Sequence, residues 1–191
     1  MKTIRAFIAI TLPEAVRRQL GVACQSLAAQ LPPRAVRWVQ PALIHLTLRF
    51  LGEVEVGKVV ALAAALDRVA VNTPAFTMRL GELGCFPNSR RPRVIWVSLE
   101  DSGPAVVLQR ALEQDLVAGG WPPEDKPFHP HLTLGRVKGE AGQVGRLPWG
   151  QALEPLPVPV EAIHLIESQL RPSGPIYTKR HTSHLCLPGN S

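Results

Sequence analysis

The chain has 191 residues, 46% of them hydrophobic and 19% charged, which excludes a disordered chain and allows a core without metal or disulfide staples. Lys and Arg number 21 against 15 Asp and Glu, a formal +6, which favours a polyanionic partner, with RNA the obvious candidate. Three scattered cysteines, Cys24, Cys85 and Cys186, suit neither a disulfide framework nor a zinc spacing and fit a reducing cytoplasm.

Ile4 to Ile10 reads as a short buried strand. The apolar stretch after Arg5 is only about seven residues long and is stopped by Pro13 and Glu14, too short for a signal peptide core or a membrane span. A soluble, intracellular protein is expected. A helix is predicted from Pro13 to about Leu31, with Val16, Leu20, Ala23, Leu27 and Leu31 on one face and Pro32 and Pro33 ending it. Ile44 to Leu51 alternates as a strand. A second helix is predicted from about Val56 to Val71, carrying Val59, Val60, Ala63 and Leu66. Phe76 to Leu83 alternates again, and Gly84 to Pro92 is a loop. The densest cationic cluster, Arg90, Arg91 and Arg93, decorates that loop. Val94 to Leu99 is a strand, Pro104 to Ala118 a helix stopped by Gly119 and Gly120, and His131 to Val137 a strand. Residues 138–159 are rich in Gly and Pro and read as irregular. Val160 to Leu170 and Tyr177 to Leu187 are the last strands, joined by a turn at Arg171 to Pro175. Helices and strands mix without strict alternation, which predicts an α+β fold with antiparallel sheets.

One tetrapeptide occurs twice: His-Leu-Thr-Leu at residues 45–48 and again at 131–134. Both copies fall on predicted strands. Alternate side chains of a strand share a face, so His45 and Thr47 point together, as do His131 and Thr133. The leucines, with Phe50, are expected in the core. Two such strands facing across a cleft supply a pair of imidazoles, which is what in-line phosphodiester hydrolysis needs. One neutral histidine takes a proton from the attacking water, and the other, protonated, gives one to the leaving oxygen. The threonine hydroxyls can donate to the phosphate oxygens, and a cation such as Arg136 can offset their charge.

With these motifs in place, the sequence resembles the two-histidine (2H) phosphoesterases, and among them the LigT-like RNA 2',3'-cyclic phosphodiesterases, once named 2'-5' RNA ligases. The likeness lies in RAFIAITLPE, RWVQPALIHLTLRFLGEV, LGELGCFPNSRRPRVIWV, PFHPHLTLGRV and SQLRPSGPIYTKR. It implies a bilobal α+β fold over residues 1–191. Two pseudo-symmetric antiparallel sheets would carry helices on their outer faces and leave a central groove between the two motifs. It also implies hydrolysis of a terminal 2',3'-cyclic phosphate to a 2'-phosphomonoester without metal or other cofactor, with reversible 2'-5' ligation as a second activity. By the family pattern His45 is the proton donor and His131 the acceptor, and Thr47, Thr133 and Arg136 contact phosphate. Strict alternation, however, puts Arg136 opposite His131, unless the strand bulges at Gly135. By the same alternation Arg49 lies on the His45 face and competes as the cation.

Other features weigh less. His129 and His131 could begin a metal site, but no third ligand has matching spacing and Pro130 interrupts the strand, so His129 is read as a rim residue. His164 is read as a satisfied structural histidine, and His181 and His184 as an exposed strand end. Trp38, Phe7 and Tyr177 have the chemistry to stack on a base, although packing is the commoner fate of such residues. Cys85 has no base paired with it in the sequence and is assigned to packing. The reading is therefore a monomeric cytoplasmic RNA 2',3'-cyclic phosphodiesterase. A non-catalytic RNA- or nucleotide-binding module in the same groove is the alternative.

Overall fold

The computed structural model describes residues 2–139, 142–172 and 174–187. Among these residues, nine strands form two sheets. Sheet A takes β1 (Thr3–Thr11), β3 (His45–Glu55), β8 (Ala162–Arg171) and β9 (Gly174–His184), in the order β3-β1-β8-β9. Sheet B takes β2 (Val36–Trp38), β4 (Phe76–Phe86), β5 (Val94–Glu100), β6 (His131–Val137) and β7 (Pro157–Val160), in the order β2-β6-β5-β4-β7. Every strand pair is antiparallel. The expected α+β architecture with two antiparallel sheets is the observed one. Each sheet also contains a strand, a long helix and an antiparallel motif strand beside the first: β1, α1 (Glu14–Ala29) and β3 in one, β5, α3 (Gly103–Ala118) and β6 in the other.

Alternation builds the layers. On β1, Ile4, Ala6, Ile8 and Ile10 enter the main core, joined by Leu12 just after the strand, while Phe7 and Ala9 turn to the opposite face and form a small cluster with Ile166. α1 buries Val16, Leu20, Cys24 and Leu27, so Cys24 occupies the stripe where Ala23 was expected, and the helix ends at Ala29 short of Leu31. α2 (Val59–Val71) begins after a 3₁₀ turn over residues 56–58. Its buried face is Leu62, Ala65, Leu66, Val69 and Ala70, and Val60 is exposed, so the helix is rotated from the predicted stripe. α2 packs on β8, β9 and α3.

Two strands were not read from the sequence. β2 is three residues long, and β7, Pro-Val-Pro-Val, has all but its last residue in the stretch 138–159 expected to be irregular. Both sit at the edges of sheet B, where proline is tolerated. The strand predicted from Val160 is instead two strands: β7 pairs with β4 in sheet B, the chain turns at Glu161, and β8 pairs with β1 in sheet A. β4 also runs three residues past Leu83, into the predicted loop. No helix among the described residues is long and apolar enough to cross a membrane.

Candidate active site

The two motif strands belong to different sheets, and β3 and β6 lie against each other. His45 and His131 are the first residues of these strands, each half-buried, each on the face turned away from the core. The leucines of both motifs are buried: Leu46, Leu48, Leu132 and Leu134.

Both strands carry the same irregularity at the same place. Ile8 pairs with Arg49 and Ala9 with Thr47, leaving Leu48 as the extra residue. Ile95 pairs with Gly135 and Trp96 with Thr133, leaving Leu134. Such a bulge reverses the alternation beyond it. Arg136 therefore rejoins the face of His131 and Thr133, and the bulge sits at Leu134 rather than Gly135. Arg49 does the opposite of what alternation predicted: it is buried, its guanidinium donating to the Pro122 carbonyl and paired with Glu113 and Glu124. Phe50, expected in the core, is 60% exposed beside Phe7. Gly135 permits the arrangement, because a Cβ there would lie 2.6 Å from Val36 Cγ1 and 3.1 Å from the Trp38 ring.

Each imidazole is held the same way. His45 Nδ1–H donates to the Leu43 carbonyl at 2.8 Å, and His131 Nδ1–H to the His129 carbonyl at 2.6 Å. A carbonyl only accepts, so the proton resides on Nδ1 in the neutral rings and Nε2 is left as the acceptor. Aromatic rings flank both. Phe7 stacks on His45 at 4.8 Å, with the Tyr177 edge at 5.5 Å. Phe86 meets His131 edge-on at 5.1 Å, with Trp96 at 6.2 Å. Burial pushes the His45 imidazole below histidine's ordinary value, and its carbonyl bond partly opposes this. Burial also lowers His131, against its own carbonyl bond and with help from the charges of His129 and Arg136. Arg136 acts electrostatically on both His131 and Tyr177, which come from different sheets. Arg5 acts on Tyr177 as well.

Beside His45 lies a polar cluster. Thr11, the register partner of His45, donates from Oγ1 to His164 Nε2 at 3.1 Å. Lys179 Nζ donates to the same nitrogen at 3.2 Å, and His164 Nδ1–H donates to Thr182 Oγ1 at 3.0 Å. Burial and the Lys179 and His184 charges push His164 down to about 4, so it is neutral and satisfied, the structural histidine that was expected. His129 is exposed, as a rim residue should be. No three of His, Cys, Asp and Glu come together in a metal-binding group among the described residues. Trp38 packs against the main core, whereas Phe7 and Tyr177 line the histidine face. Cys85 is half-buried, and burial raises its thiol. His181 bonds Asp67 at 2.8 Å rather than standing free, and His184 is exposed.

The carbonyl clamps and the aromatic flanks escaped the sequence reading. The first are backbone features that no side-chain pattern encodes. The second had a signal, aromatic residues on four separate strands, but nothing in it gave their pairing.

The LigT like Phosphoesterase family pattern matches residues 10–96 and 98–177. An RNA 2',3'-cyclic phosphodiesterase of Methanothermobacter thermautotrophicus is 33% identical over 181 residues, covering 92% of this chain and 95% of that protein. The crystal structure of TT0787 from Thermus thermophilus superposes with a TM-score of 0.79 at 35% identity, over 95% of this chain and 97% of the other. Escherichia coli LigT complexed with 3'-AMP gives a TM-score of 0.76 at 30% identity, over 96% and 99% of the two chains.

Proposed function

The chain belongs to the LigT-like phosphoesterases, and from that premise we propose that it hydrolyses RNA 2',3'-cyclic phosphate ends through His45 and His131. The observation that carries the reading is the matched pair of imidazoles, each clamped at Nδ1 by the carbonyl two residues before it. Nε2 of both rings is thereby the nitrogen free for proton transfer.

In the reaction, water attacks phosphorus while His131 Nε2 accepts its proton. The bond from phosphorus to the ribose 3' oxygen breaks, and His45, as imidazolium, gives that oxygen its proton from Nε2. The product is a 2'-phosphomonoester with a free 3' hydroxyl. The second half of a cycle returns the proton from His131 to His45 through solvent. Thr47 and Thr133 donate to the non-bridging oxygens, and Arg136 balances the charge that builds on them. The chemistry uses acid, base and fixed dipoles, and each acid or base contributes typically ~10²–10⁴ in rate. With the 5' hydroxyl of a second RNA attacking phosphorus in place of water, its proton passing to His131 and the 3' oxygen leaving with the proton of His45, the same forward step makes a 2'-5' linkage, and its reverse cleaves one.

Residues 1–191 then work as one two-lobed domain, because each sheet supplies one histidine. A monomer suffices for this, and the three free cysteines suit a reducing cytoplasm. The test is product identity. Purified protein with EDTA should convert a short RNA ending in a 2',3'-cyclic phosphate to a 2'-phosphate end. A 3'-phosphate end would reverse the polarity of cleavage, and tight binding without product would make the groove a binding module.

A further inference from the structure

The two ends of sheet B differ in charge. Sheet B gathers cations at one end from segments far apart in the chain. Arg37 on β2 is the register partner of Arg136 on β6. The Lys138 amide donates to the Ala35 carbonyl at 2.8 Å, so Lys138 lies beside Arg34 and Ala35. On the other side of β6, the Val137 amide donates to the Arg93 carbonyl at 2.9 Å, which brings in the loop bearing Arg90 and Arg91. A Cβ on Gly145 would sit 2.9 Å from the Ser89 carbonyl, so Arg146 joins the same end.

All these cationic side chains are exposed. Among the described residues none of them is ion-paired. Segments 34–38, 87–94, 136–139 and 142–148 contain no Asp or Glu. The opposite end of the sheet is different: Glu100 and Asp101 close β5 there, and Asp101 pairs with Arg79 at 2.7 Å. The excess charge of the chain is thus concentrated on one rim.

That rim is continuous with the groove, because β6 starts at His131, passes Arg136 on the same face and ends beside Lys138. By the rise of a strand, the run from His131 to Lys138 is roughly 20 Å. A mononucleotide cannot span it. The rim also lacks large exposed apolar side chains, which lie elsewhere on the chain, so it has none of the buried anchors that a protein interface requires. A row of unpaired cations without apolar anchors is what tracks a nucleic-acid backbone.

Resting on the phosphodiesterase reading, we infer that this rim binds the RNA strand leading up to the cyclic phosphate, through its backbone phosphates and without reading sequence. RNA ends long enough to reach the rim are therefore turned over faster than a free nucleoside 2',3'-cyclic phosphate, which fills only the histidine site.

The test compares adenosine 2',3'-cyclic phosphate with oligonucleotides of increasing length that end in the same group. Wild type is assayed beside Arg90→Ala/Arg91→Ala, two exposed residues that bond Asn88 through their backbone amides alone. Lys138→Ala serves as a second, independent variant. In wild type, kcat/KM should rise about tenfold or more with length at low salt, and the rise should shrink as salt increases. The double variant should keep the mononucleotide rate, lose most of the gain, and show a salt slope shallower by about one. An equal rate on all lengths in wild type would overturn the inference, as would a full length gain in both variants. Inertness toward the mononucleotide and the oligonucleotides alike would remove the phosphodiesterase reading itself, and the rim assignment with it.

Discussion

His45 and His131 each commit one ring nitrogen to a backbone carbonyl and sit between aromatic rings, and both are lowered from histidine's ordinary value, mainly by burial. In a two-histidine mechanism kcat/KM falls when the base gains its proton and when the acid loses its own. With both groups lowered, the pH profile of the free enzyme should be bell-shaped with its maximum on the acid side of ~6.5. A rate still rising above pH 8 would contradict this. Gly135 gives a second test at the same scale. Gly135→Ala drives a methyl into Val36 and Trp38, so it should cost about 1–3 kcal/mol in urea unfolding and disturb Arg136 beyond it. Gly57→Ala, with nothing within 4 Å of the added methyl, should have little effect. The histidines and threonines were legible because a repeated tetrapeptide on two strands is hard to produce by chance. The carbonyls that orient the rings belong to backbone geometry and left no trace in the side chains.

The motif strands show why alternation alone misassigned Arg49, Phe50 and Arg136. It is right up to the bulge at Leu48 or Leu134 and inverted after it. Arg49 and Gly135 hold the same position in their motifs, and both face inward. Arg49 is accommodated by Glu113, Glu124 and the Pro122 carbonyl, which tie β3 to α3 and the segment after it. Phe50 and Arg136 are the corresponding outward pair, so one side of the groove presents an aromatic ring and the other a cation. The two arginines should therefore separate in assays. Arg49→Ala strands Glu113 without its cation and should lower stability by roughly 2 kcal/mol or more, with kcat nearly unchanged in the folded fraction. Arg136→Ala should leave the urea midpoint in place and reduce kcat/KM about tenfold to a hundredfold. The opposite pattern would return the phosphate-facing role to Arg49. No residue pattern announces a bulge of this kind in a strand of leucines and threonines, although Gly135 permitted one.

On the scale of the molecule, the two-sheet architecture followed from mixed helix and strand patterns, while the route of the chain between sheets did not. The last third passes from sheet B to sheet A at Glu161, and of the short edge strands β2 is only three residues long while the two prolines of β7, which cannot donate to a ladder, read as loop. The basic rim was equally hidden, because its cations come from four segments that only the sheet order brings together. The fold also carries an acid-sensitive point. His164 is held at about 4 in the folded chain, well below its unfolded value near ~6.5. Its neutral form is therefore fully compatible with the fold above ~6.5, and roughly 3 kcal/mol should be lost as pH falls from there toward 4, with His45 and His131 shifted in the same direction. Urea midpoints measured across that range should fall steadily in wild type and more gently in His164→Gln. The imidazole pair is tested most directly by the rate of cyclic-phosphate hydrolysis in EDTA by wild type, His45→Ala and His131→Ala, with folding checked by circular dichroism. Wild type should give a 2'-phosphate product and each folded variant should lose at least about a hundredfold in rate; wild-type rates in both variants would contradict catalysis by the two histidines.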